Sequence, residues 1–236
     1  MSVRLLIDAI YSDDLVKVQL ILAKATTVNS QYNGLLPLVE TAKFGNVEIA
    51  RVLLEHSANV DETDGQERTA LTVACELAQL KMATLLIGHG ANVNFLIRKV
   101  ATPLSKSASG SEKNRLQIAK SLIAAGADPT TKFHSIDGRC VSNVLMSACR
   151  AGSSEMIRLL IDIGAPINEQ HFFGTPLIRA VIENRPQIVE LLLSLKADSS
   201  IRLADDSRLD KDAGKTATEI ANSRGFKRVA KLLQAS

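Results

Sequence analysis

The stretch LPLVETAKFGNVEIARVLLEHSANVD, residues 36–61, recurs in imperfect copies along the whole chain. When the copies are aligned on Leu38, the equivalent positions are Leu6, Leu71, Leu104, Leu145, Leu177 and Thr218. The steps between successive positions are 32, 33, 33, 41, 32 and 41 residues. A fixed period of this size is the signature of a solenoid, in which each unit packs only on its neighbours. The sequence therefore predicts seven stacked copies of one unit in place of a single globular core.

The predicted repeats form one domain, 1–236, with approximate boundaries at 1–30, 31–63, 64–96, 97–133, 134–169, 170–200 and 201–236. Each of the two longer steps holds about eight extra residues. The first group falls within 109–114 and 131–142, and the second near 201–215. Insertions in repeat proteins map to loops on one face, often the binding face. A solvated loop without a role is the alternative.

Each unit reads as two short helices with defined starts and ends. Thr102 and Thr175 each precede a proline, so we expect the threonine to cap the first helix of its repeat. The proline then stands at the first helical position, where the N–H group that it lacks would have no partner within the helix. Three glycines follow the second helices of their repeats: Gly90, Gly126 and Gly164. A residue in the left-handed backbone conformation ends a helix at this position, and glycine adopts that conformation with little strain. Ser57 and Lys196 stand at this position in place of glycine, and we expect each to lower the stability of the fold by about 1 kcal/mol.

The opening Thr-Pro-Leu of residues 102–104 and 175–177, and the closing Gly-Ala-Asn or Gly-Ala-Asp of residues 90–92 and 126–128, resemble the ankyrin repeat family. The family unit reads T-P-L-H-x-A, then a glycine turn, then a Leu-Leu run ending in G-A-D/N. The resemblance implies an all-α, ankyrin-repeat solenoid of helix-turn-helix units joined by short fingers. The family histidine is absent, and the residues at its position are Val39, Thr72, Ser105, Met146, Ile178 and Glu219. We therefore expect one hydrogen bond fewer per repeat and lower stability.

The same resemblance implies a non-enzymatic protein–protein interaction module, acting as an adaptor, scaffold or inhibitor and needing no cofactor. Partners of such proteins dock on the finger tips and on the concave face made by the first helices. Ankyrin proteins of intracellular bacteria are often delivered into host cells, so an effector that binds a host protein is an alternative. A nucleic-acid binder, or an enzyme with its site in the inserted loops, is a further one.

A basic stripe is the first candidate binding surface. We call Leu38 and its equivalent leucines the anchor leucines. The residues two or five positions after them include Lys106, Arg150 and Arg179, which line up across repeats four to six. Guanidinium and ammonium groups recognise carboxylates and phosphates through charge-assisted hydrogen bonds. The stripe predicts a partner with an acidic segment, and scattered solvated charge is the alternative.

Aromatic residues in the fingers are the second candidate surface. The chain has only eight aromatic residues, and five lie in the fingers: Tyr32, Phe95, Phe133, Phe172 and Phe173. Aromatic side chains are frequent hot spots in interfaces. We expect at least two of the five to pack at finger bases, and the others to form an exposed apolar ridge with Leu96, Ile97 and His171.

Composition and charge disfavour several other classes of protein. The net charge is +3, from 28 basic and 25 acidic residues, and no run of five basic residues is present, so nucleic-acid binding is not expected. The residues through position 94 carry −4 and the rest +7, a distribution that can steer an acidic partner toward the C-terminal half. No signal peptide and no stretch of about 18 apolar residues is visible, so we expect a cytoplasmic monomer without a membrane segment.

Catalytic and metal-binding patterns are also weak. No nucleophile, base and acid stand in a recognisable arrangement, and no phosphate-binding glycine loop precedes a helix. His134, Cys140 and His171 lie on neighbouring predicted fingers and could meet around a metal, but flexible loops would have to converge. Cys75 and Cys149 occupy the small position held by alanine in other copies, which favours buried packing over disulfides.

Overall fold

The computed structural model describes residues 3–24, 28–110, 113–134, 141–171, 174–204 and 211–235. These residues contain fourteen helices in seven consecutive pairs, which confirms the predicted helical repeat. The helices are α1 (Val3–Tyr11), α2 (Leu15–Leu22), α3 (Pro37–Phe44), α4 (Val47–Glu55), α5 (Ala70–Glu76), α6 (Leu80–Gly88), α7 (Pro103–Ser107), α8 (Lys113–Ala124), α9 (Val144–Ala151), α10 (Ser154–Asp162), α11 (Pro176–Ile182), α12 (Pro186–Ser194), α13 (Ala217–Ser223) and α14 (Lys227–Gln234).

The chain divides into two compact units, Met1–Ser107 with Glu112–Ala127 and Ala108–Ser111 with Asp128–Ser236. In the first unit, α1, α3, α5 and α7 pack side by side as one layer, and α2, α4, α6 and α8 form the second layer. In the second unit, α9, α11 and α13 form the first layer, while α10 packs on α9 and α12 packs on both α11 and α14. Each unit is therefore a two-layered stack of helix pairs.

Small aliphatic side chains fill the space between the layers. The anchor leucines of repeats one to six are at most 2% exposed: Leu6, Leu38, Leu71, Leu104, Leu145 and Leu177. Cys75 and Cys149 are buried free thiols, as predicted, and burial raises the pKa of the Cys149 thiol to about 12. Burial raises the pKa of the Cys75 thiol as well, so neither group is a reactive thiolate. Cys140 lies outside the described residues.

The predicted helix starts are confirmed by their hydrogen bonds. Thr102 Oγ1 accepts the backbone N–H of Ser105 at 3.2 Å, and Thr175 Oγ1 accepts that of Ile178 at 3.3 Å. Thr216 and Glu219 form a complete capping box at the start of α13. These bonds satisfy donors that a helix leaves free in its first turn.

Hydroxyl groups replace the missing family histidine in two repeats. Thr72 Oγ1 donates to the carbonyl of Thr69 at 2.7 Å, and Ser105 Oγ donates to the carbonyl of Thr102 at 2.9 Å. The expected loss of a hydrogen bond at this position is therefore wrong for repeats three and four. A short hydroxyl side chain three residues into the helix reaches back to the N-cap carbonyl.

The helix ends follow the sequence prediction closely. Gly90, Gly126 and Gly164 have φ angles of 81°, 91° and 94°, and Ser57 and Lys196 adopt 65° and 67° at the equivalent point. The two side-chain-bearing residues are thus held in the left-handed region, where a Cβ atom crowds the following carbonyl.

Short fingers connect the helix pairs and are tied to one another. Isolated antiparallel bridges close four of them, pairing Tyr32 with Leu35, Ile97 with Ala101, His171 with Gly174 and Arg202 with Thr216. In the second unit, strand β1 (Phe133–His134) pairs with β2 (Val141–Ser142). Side chains at finger ends accept a backbone N–H about thirty residues further on: Asn29 from Asn59, Asp61 from Asn92, and Asn168 from Asp198.

Candidate functional site

The second unit contains a cavity of about 310 Å³ that we call the arginine pocket. Its lining residues are Phe133, Ser142, Met146, Ser147, Arg150 and Arg179. Strands β1 and β2 contribute the first two, α9 the next three, and α11 the last. The pocket thus lies between a finger and the first helices of two repeats.

The start of α9 is fixed by Asn143, which sets the orientation of the pocket residues on that helix. Its Oδ1 atom accepts the backbone N–H of Met146 at 3.0 Å. Met146 and Arg150 are four residues apart and therefore lie on the same face of the helix. Ser142 pairs with Phe133 in the hairpin one residue before the cap, so the finger leads directly into α9.

A polar network that is buried at Asn143 and His171 lies next to this cap. Nδ2 of Asn143 donates to Nε2 of His171 at 2.8 Å and to Oε2 of Glu169 at 3.1 Å. Nζ of Lys132 lies 2.6 Å from Oε1 of the same glutamate. Because Oδ1 of Asn143 is engaged by a backbone N–H, the amide can only donate to the imidazole. Nε2 of His171 is therefore an acceptor, as in neutral histidine.

The charge states in this network follow from burial and from these contacts. Burial lowers the pKa of His171, and this outweighs the attraction of Glu169, whose Oε2 lies 3.2 Å from Nε2. Burial acts to raise the pKa of Glu169, but hydrogen bonds from Lys132 and Asn143 bring that pKa below its usual value. At neutral pH the network holds a neutral imidazole and an ionised carboxylate.

Two guanidinium groups give the pocket its charge. Arg179 is partly buried, and its Nη2 atom lies 2.7 Å from Oε1 of Glu183. Burial lowers the pKa of Arg179; Glu183 opposes this effect and the positive charge of Arg150 adds to it. Arg150 is exposed, and no carboxylate of the described residues lies within 4.0 Å of it. The three groups together carry a charge of +1.

The predicted basic stripe is therefore represented in the pocket by two of its three members, Arg150 and Arg179. Lys106 belongs to the first unit, where its Nζ atom lies 3.1 Å from Oε1 of Glu76. An exposed ion pair of this kind is weak, so Lys106 remains a predicted contact of the first unit.

The finger aromatics have different environments. Tyr32 and Phe95 are partly exposed and Leu96 is 37% exposed, so these three stay available for contacts. Phe133 is only 8% exposed and forms a wall of the arginine pocket. Phe172 and Phe173 lie outside the described residues.

The prediction that Ile97 and His171 belong to an exposed apolar ridge is wrong, because each residue is only 6% exposed. Both residues lie in the bridges that close their fingers, where the side chain turns into the repeat.

One exposed apolar cluster was missed by the sequence analysis. Tyr11, Phe44 and Leu77, at the ends of the first helices of repeats one to three, are 48%, 56% and 49% exposed. The rings of the first two meet edge to face with centroids 5.3 Å apart. A signal was present, because later repeats carry a small or charged residue before the turn: Ala151, Glu183 and Arg224.

The described residues contain neither a candidate metal cluster nor a membrane-spanning helix. Among the described residues no three histidine, cysteine or acidic side chains are grouped to hold a metal ion. His134 is exposed and His171 is buried, and Cys140 again lies outside the described residues. None of the helices described here is long and apolar enough to cross a membrane.

The stacked helix pairs and the bridges that close the fingers define a helical-repeat protein. The family described as "Ankyrin repeats (3 copies)" matches residues 6–96 and 104–205, most of the chain. This chain belongs to the ankyrin repeat family. Ankyrin repeats are a general protein–protein interaction module, and the fold is generally non-enzymatic.

Similar proteins come from animals and bacteria. The chain is 32% identical to ankyrin repeat and KH domain-containing protein mask-1 of Caenorhabditis elegans over 66% of its length, but it spans only 6% of that protein. It is 28% identical to the putative ankyrin repeat protein YahD of Escherichia coli, covering 83% of this chain and 92% of that protein. The human ASB11 ankyrin repeat domain superimposes with a TM-score of 0.78 at 21% identity, covering 98% of this chain and 96% of that one.

Proposed function

We propose that the chain is a non-enzymatic adaptor, scaffold or inhibitor whose second unit binds an acidic segment of a partner protein in the arginine pocket. The proposal rests on one observation: two guanidinium groups lie in one cavity together with the side chains of Phe133 and Met146. Such a pocket offers a fixed positive charge and a surface for an apolar side chain. These are the features found at the centre of protein interfaces.

The electrostatics of the pocket favour an acidic partner. Arg150 has no carboxylate of its own among the described residues, so an incoming carboxylate would meet a cation that is not yet neutralised. Guanidinium groups bind carboxylates through two parallel hydrogen bonds. A nucleic acid is less well matched, because its recognition requires a more extensive basic surface than a chain of net charge +3 offers.

The test is affinity capture from cell lysate with mass spectrometry, followed by binding measurements with peptides from the captured proteins. Replacing Arg150 with Glu should weaken binding at least about tenfold, since it places a like charge against the acidic segment. The parent affinity should also fall with added salt. Arg158, exposed on α10, provides the matched control, and Arg158→Glu should change the affinity less than about twofold.

Equal affinities for the parent and Arg150→Glu would rule out the arginine pocket as the binding site. Capture of nucleic acid with a steep salt dependence would favour the nucleic-acid alternative instead.

The exposed finger residues of the first unit are proposed as additional contacts. Tyr32, Phe95 and Leu96 can add apolar area to an interface at little entropic cost. Phe95→Ala should weaken capture without changing the unfolding midpoint, since this side chain is partly exposed. Val16→Ala, which removes a 66% exposed side chain on α2, is the control, and equal losses of binding in both variants would refute a finger contact.

A further inference from the structure

We infer that the first three repeats bind a basic amphipathic helix of a partner protein along an exposed apolar row. The apolar row consists of Tyr11, Phe44 and Leu77. It lies in the first unit and does not involve the arginine pocket, so the inference goes beyond the proposed function.

The apolar row follows from the repeat itself. Its three residues stand 33 positions apart in the sequence, at the ends of α1, α3 and α5. These helices pack side by side, so the three side chains follow one another along one edge of the layer, and each is roughly half exposed. A single exposed apolar side chain is normal on a protein surface. Three at the same position of neighbouring repeats mark a surface that a partner can cover.

Tyr11 and Phe44 are held in place before a partner arrives. The hydroxyl of Tyr11 donates to Oε2 of Glu40 at 3.0 Å, and Nζ of Lys43 pairs with Oε1 of the same buried carboxylate. Partial burial, then the hydrogen bond and the negative charges of Glu40 and Asp8, raise the pKa of Tyr11, so its hydroxyl keeps the proton that it donates. The two rings meet edge to face. Because they are already ordered, little side-chain entropy is lost when a partner covers them.

The position of the apolar row on helices favours a helical partner over an extended one. Neighbouring helices pack about 8–10 Å apart, so the row is roughly 16–20 Å long, the length of a helix of about twelve residues. The backbone groups of helices are bonded internally, so a strand laid across them would find no ladder of backbone partners. A helix satisfies its own backbone and can present one apolar face to the row.

Charge around the apolar row favours a basic partner. At the positions two to twelve after the anchor position, repeats one to three hold six acidic and three basic residues, within 8–18, 40–50 and 73–83. The same positions of repeats five to seven hold two acidic and six basic residues, within 147–157, 179–189 and 220–230. Lysine and arginine beside the apolar face of a partner helix would meet carboxylates such as those of Asp13, Asp14 and Glu76, which are all exposed.

The same charge disfavours other ways of covering the apolar row. A second copy that used its own row would bring two acidic edges together, and like charges across an interface weaken binding. Anionic lipid and nucleic acid would be repelled for the same reason. A basic helix of a partner protein is the occupant that fits both the apolar and the charged residues.

A designed helix tests the inference without knowledge of the partner. The probe is a peptide of about 18 residues, capped at both ends, with leucine at the i, i+3, i+4 and i+7 positions and lysine or alanine elsewhere. It is titrated into the ¹⁵N-labelled full chain and followed by NMR, and backbone amide signals in 8–14, 41–47 and 74–80 should shift. A peptide with the same composition but with leucines spread around the helix, and one with glutamate in place of lysine, should each bind at least about tenfold more weakly.

Phe44→Ala tests the apolar row itself. This substitution should weaken binding of the lysine peptide at least about fivefold, because an aromatic side chain at the centre of the row is lost. The unfolding midpoint should stay unchanged, since the side chain is exposed. Leu20→Ala is the matched control. It removes a 58% exposed side chain on α2 and should change the affinity less than about twofold.

The double variant Asp13→Asn with Asp14→Asn tests the charge. Asparagine tolerates the left-handed backbone of residue 13 and can cap α2 from residue 14, so the fold should be retained. Binding of the lysine peptide should weaken at least about threefold and become less sensitive to salt. Glu55→Gln, at an exposed position at the end of α4, is the control and should leave both properties unchanged.

Several results would overturn the inference: equal binding of the peptide with spread leucines, equal or tighter binding of the glutamate peptide, or unchanged binding in Phe44→Ala or in the double aspartate variant. Dimerisation of the chain through Phe44, measured by sedimentation equilibrium, would assign the apolar row to a second copy instead. Binding to vesicles of phosphatidylserine and phosphatidylcholine that depends on Phe44 would assign it to a membrane. None of these results bears on the arginine pocket, which Arg150→Glu tests separately.

Discussion

Single residues decide how each helix ends, and the residue after the second helix shows this best. Glycine adopts the left-handed conformation there in three repeats, whereas Ser57 and Lys196 adopt it with side chains. Glycine has no Cβ atom to meet the following carbonyl, so it enters this region without strain. At this point of the described repeats, Ser57 and Lys196 are therefore the two strained positions that glycine would relieve.

Lys196→Gly should raise the free energy of unfolding by about 0.5 kcal/mol, because relief of about 1 kcal/mol of strain exceeds the loss of a favourable charge near the helix C-terminus. Lys120→Gly makes the same chemical change at an exposed site inside α8 and should lower it by about 0.5–1 kcal/mol. Urea denaturation measures both values. Destabilisation of equal size in the two variants would contradict the strain argument.

The buried His171 predicts a loss of stability in mild acid. Its pKa is lowered in the folded chain by burial, so as the pH falls through the ordinary value of 6.5 the unfolded chain binds a proton first. The free energy of unfolding should then decrease, by at most about 1.4 kcal/mol per pH unit for one proton. Glu169 stays ionised between pH 7 and 5.5, because its pKa is lowered.

Denaturation of His171→Gln between pH 7 and 5.5 checks this expectation. The variant should show a flatter pH dependence than the parent, because the group that titrates only in the unfolded state is gone. His89→Gln, at an exposed position, controls for the removal of one histidine from the unfolded chain. If both variants follow the parent curve, His171 does not control the acid response.

Elements are joined by side chains that cap a helix in the preceding repeat. Arg115 on α8 donates to the carbonyls of Cys75 and Glu76 at the end of α5 at 3.3 and 2.9 Å, and to that of Lys106 in α7 at 3.0 Å. Gln79 reaches the carbonyl of Lys43 at the end of α3 in the same manner. The last carbonyls of a helix have no partner within it, so these bonds satisfy them from the next repeat.

Arg115→Ala should therefore lower the free energy of unfolding by about 2 kcal/mol, since it removes charged hydrogen bonds to partly buried carbonyls. Arg51→Ala is the control. Among the residues that the structure describes, its guanidinium pairs only with Glu48, at 3.6 Å and in an exposed position, so its loss should cost less than about 0.5 kcal/mol. Similar losses in the two variants, measured by urea denaturation, would mean that the inter-repeat bonds add nothing.

At the scale of the whole molecule, each repeat is stabilised by its neighbours and not by a common centre. Leu71 is fully buried in α5, which packs against α3, α6 and α7. In a repeat array, stability is approximately a sum of repeat terms and nearest-neighbour terms. Damage to one repeat should remain local to its part of the stack.

Leu71→Ala should create a cavity costing about 2–5 kcal/mol and accelerate amide hydrogen exchange most in α3, α5, α6 and α7. The acceleration should be smaller in α1, which contacts α3 but not the altered helix in the main packing. Hydrogen-exchange mass spectrometry resolves these segments. Uniform acceleration throughout the first unit would show that the unit unfolds as one cooperative body.

Much of the fold was predictable because its determinants are local. The 33-residue period, the threonine caps and the left-handed turns depend on residues a few positions apart, and all three appear in the structure as expected. The candidate site was only partly predictable. Arg150 and Arg179 were identified by their position in the repeat, while the burial of Ile97 and His171 and the exposure of Phe44 were not.

The sequence by itself determined the repeated helix pair, the number of copies and the helix ends, because propensity, capping and turn chemistry act over a few neighbouring residues. Only the tertiary structure placed Phe133 against Met146 and two arginines, joined Arg115 to carbonyls of α5, and put Asn143 between Glu169 and His171. Such contacts join residues far apart in the sequence, as Phe133 and Arg179 are in the arginine pocket. They depend on how one layer of side chains meets the next, which no periodic pattern specifies.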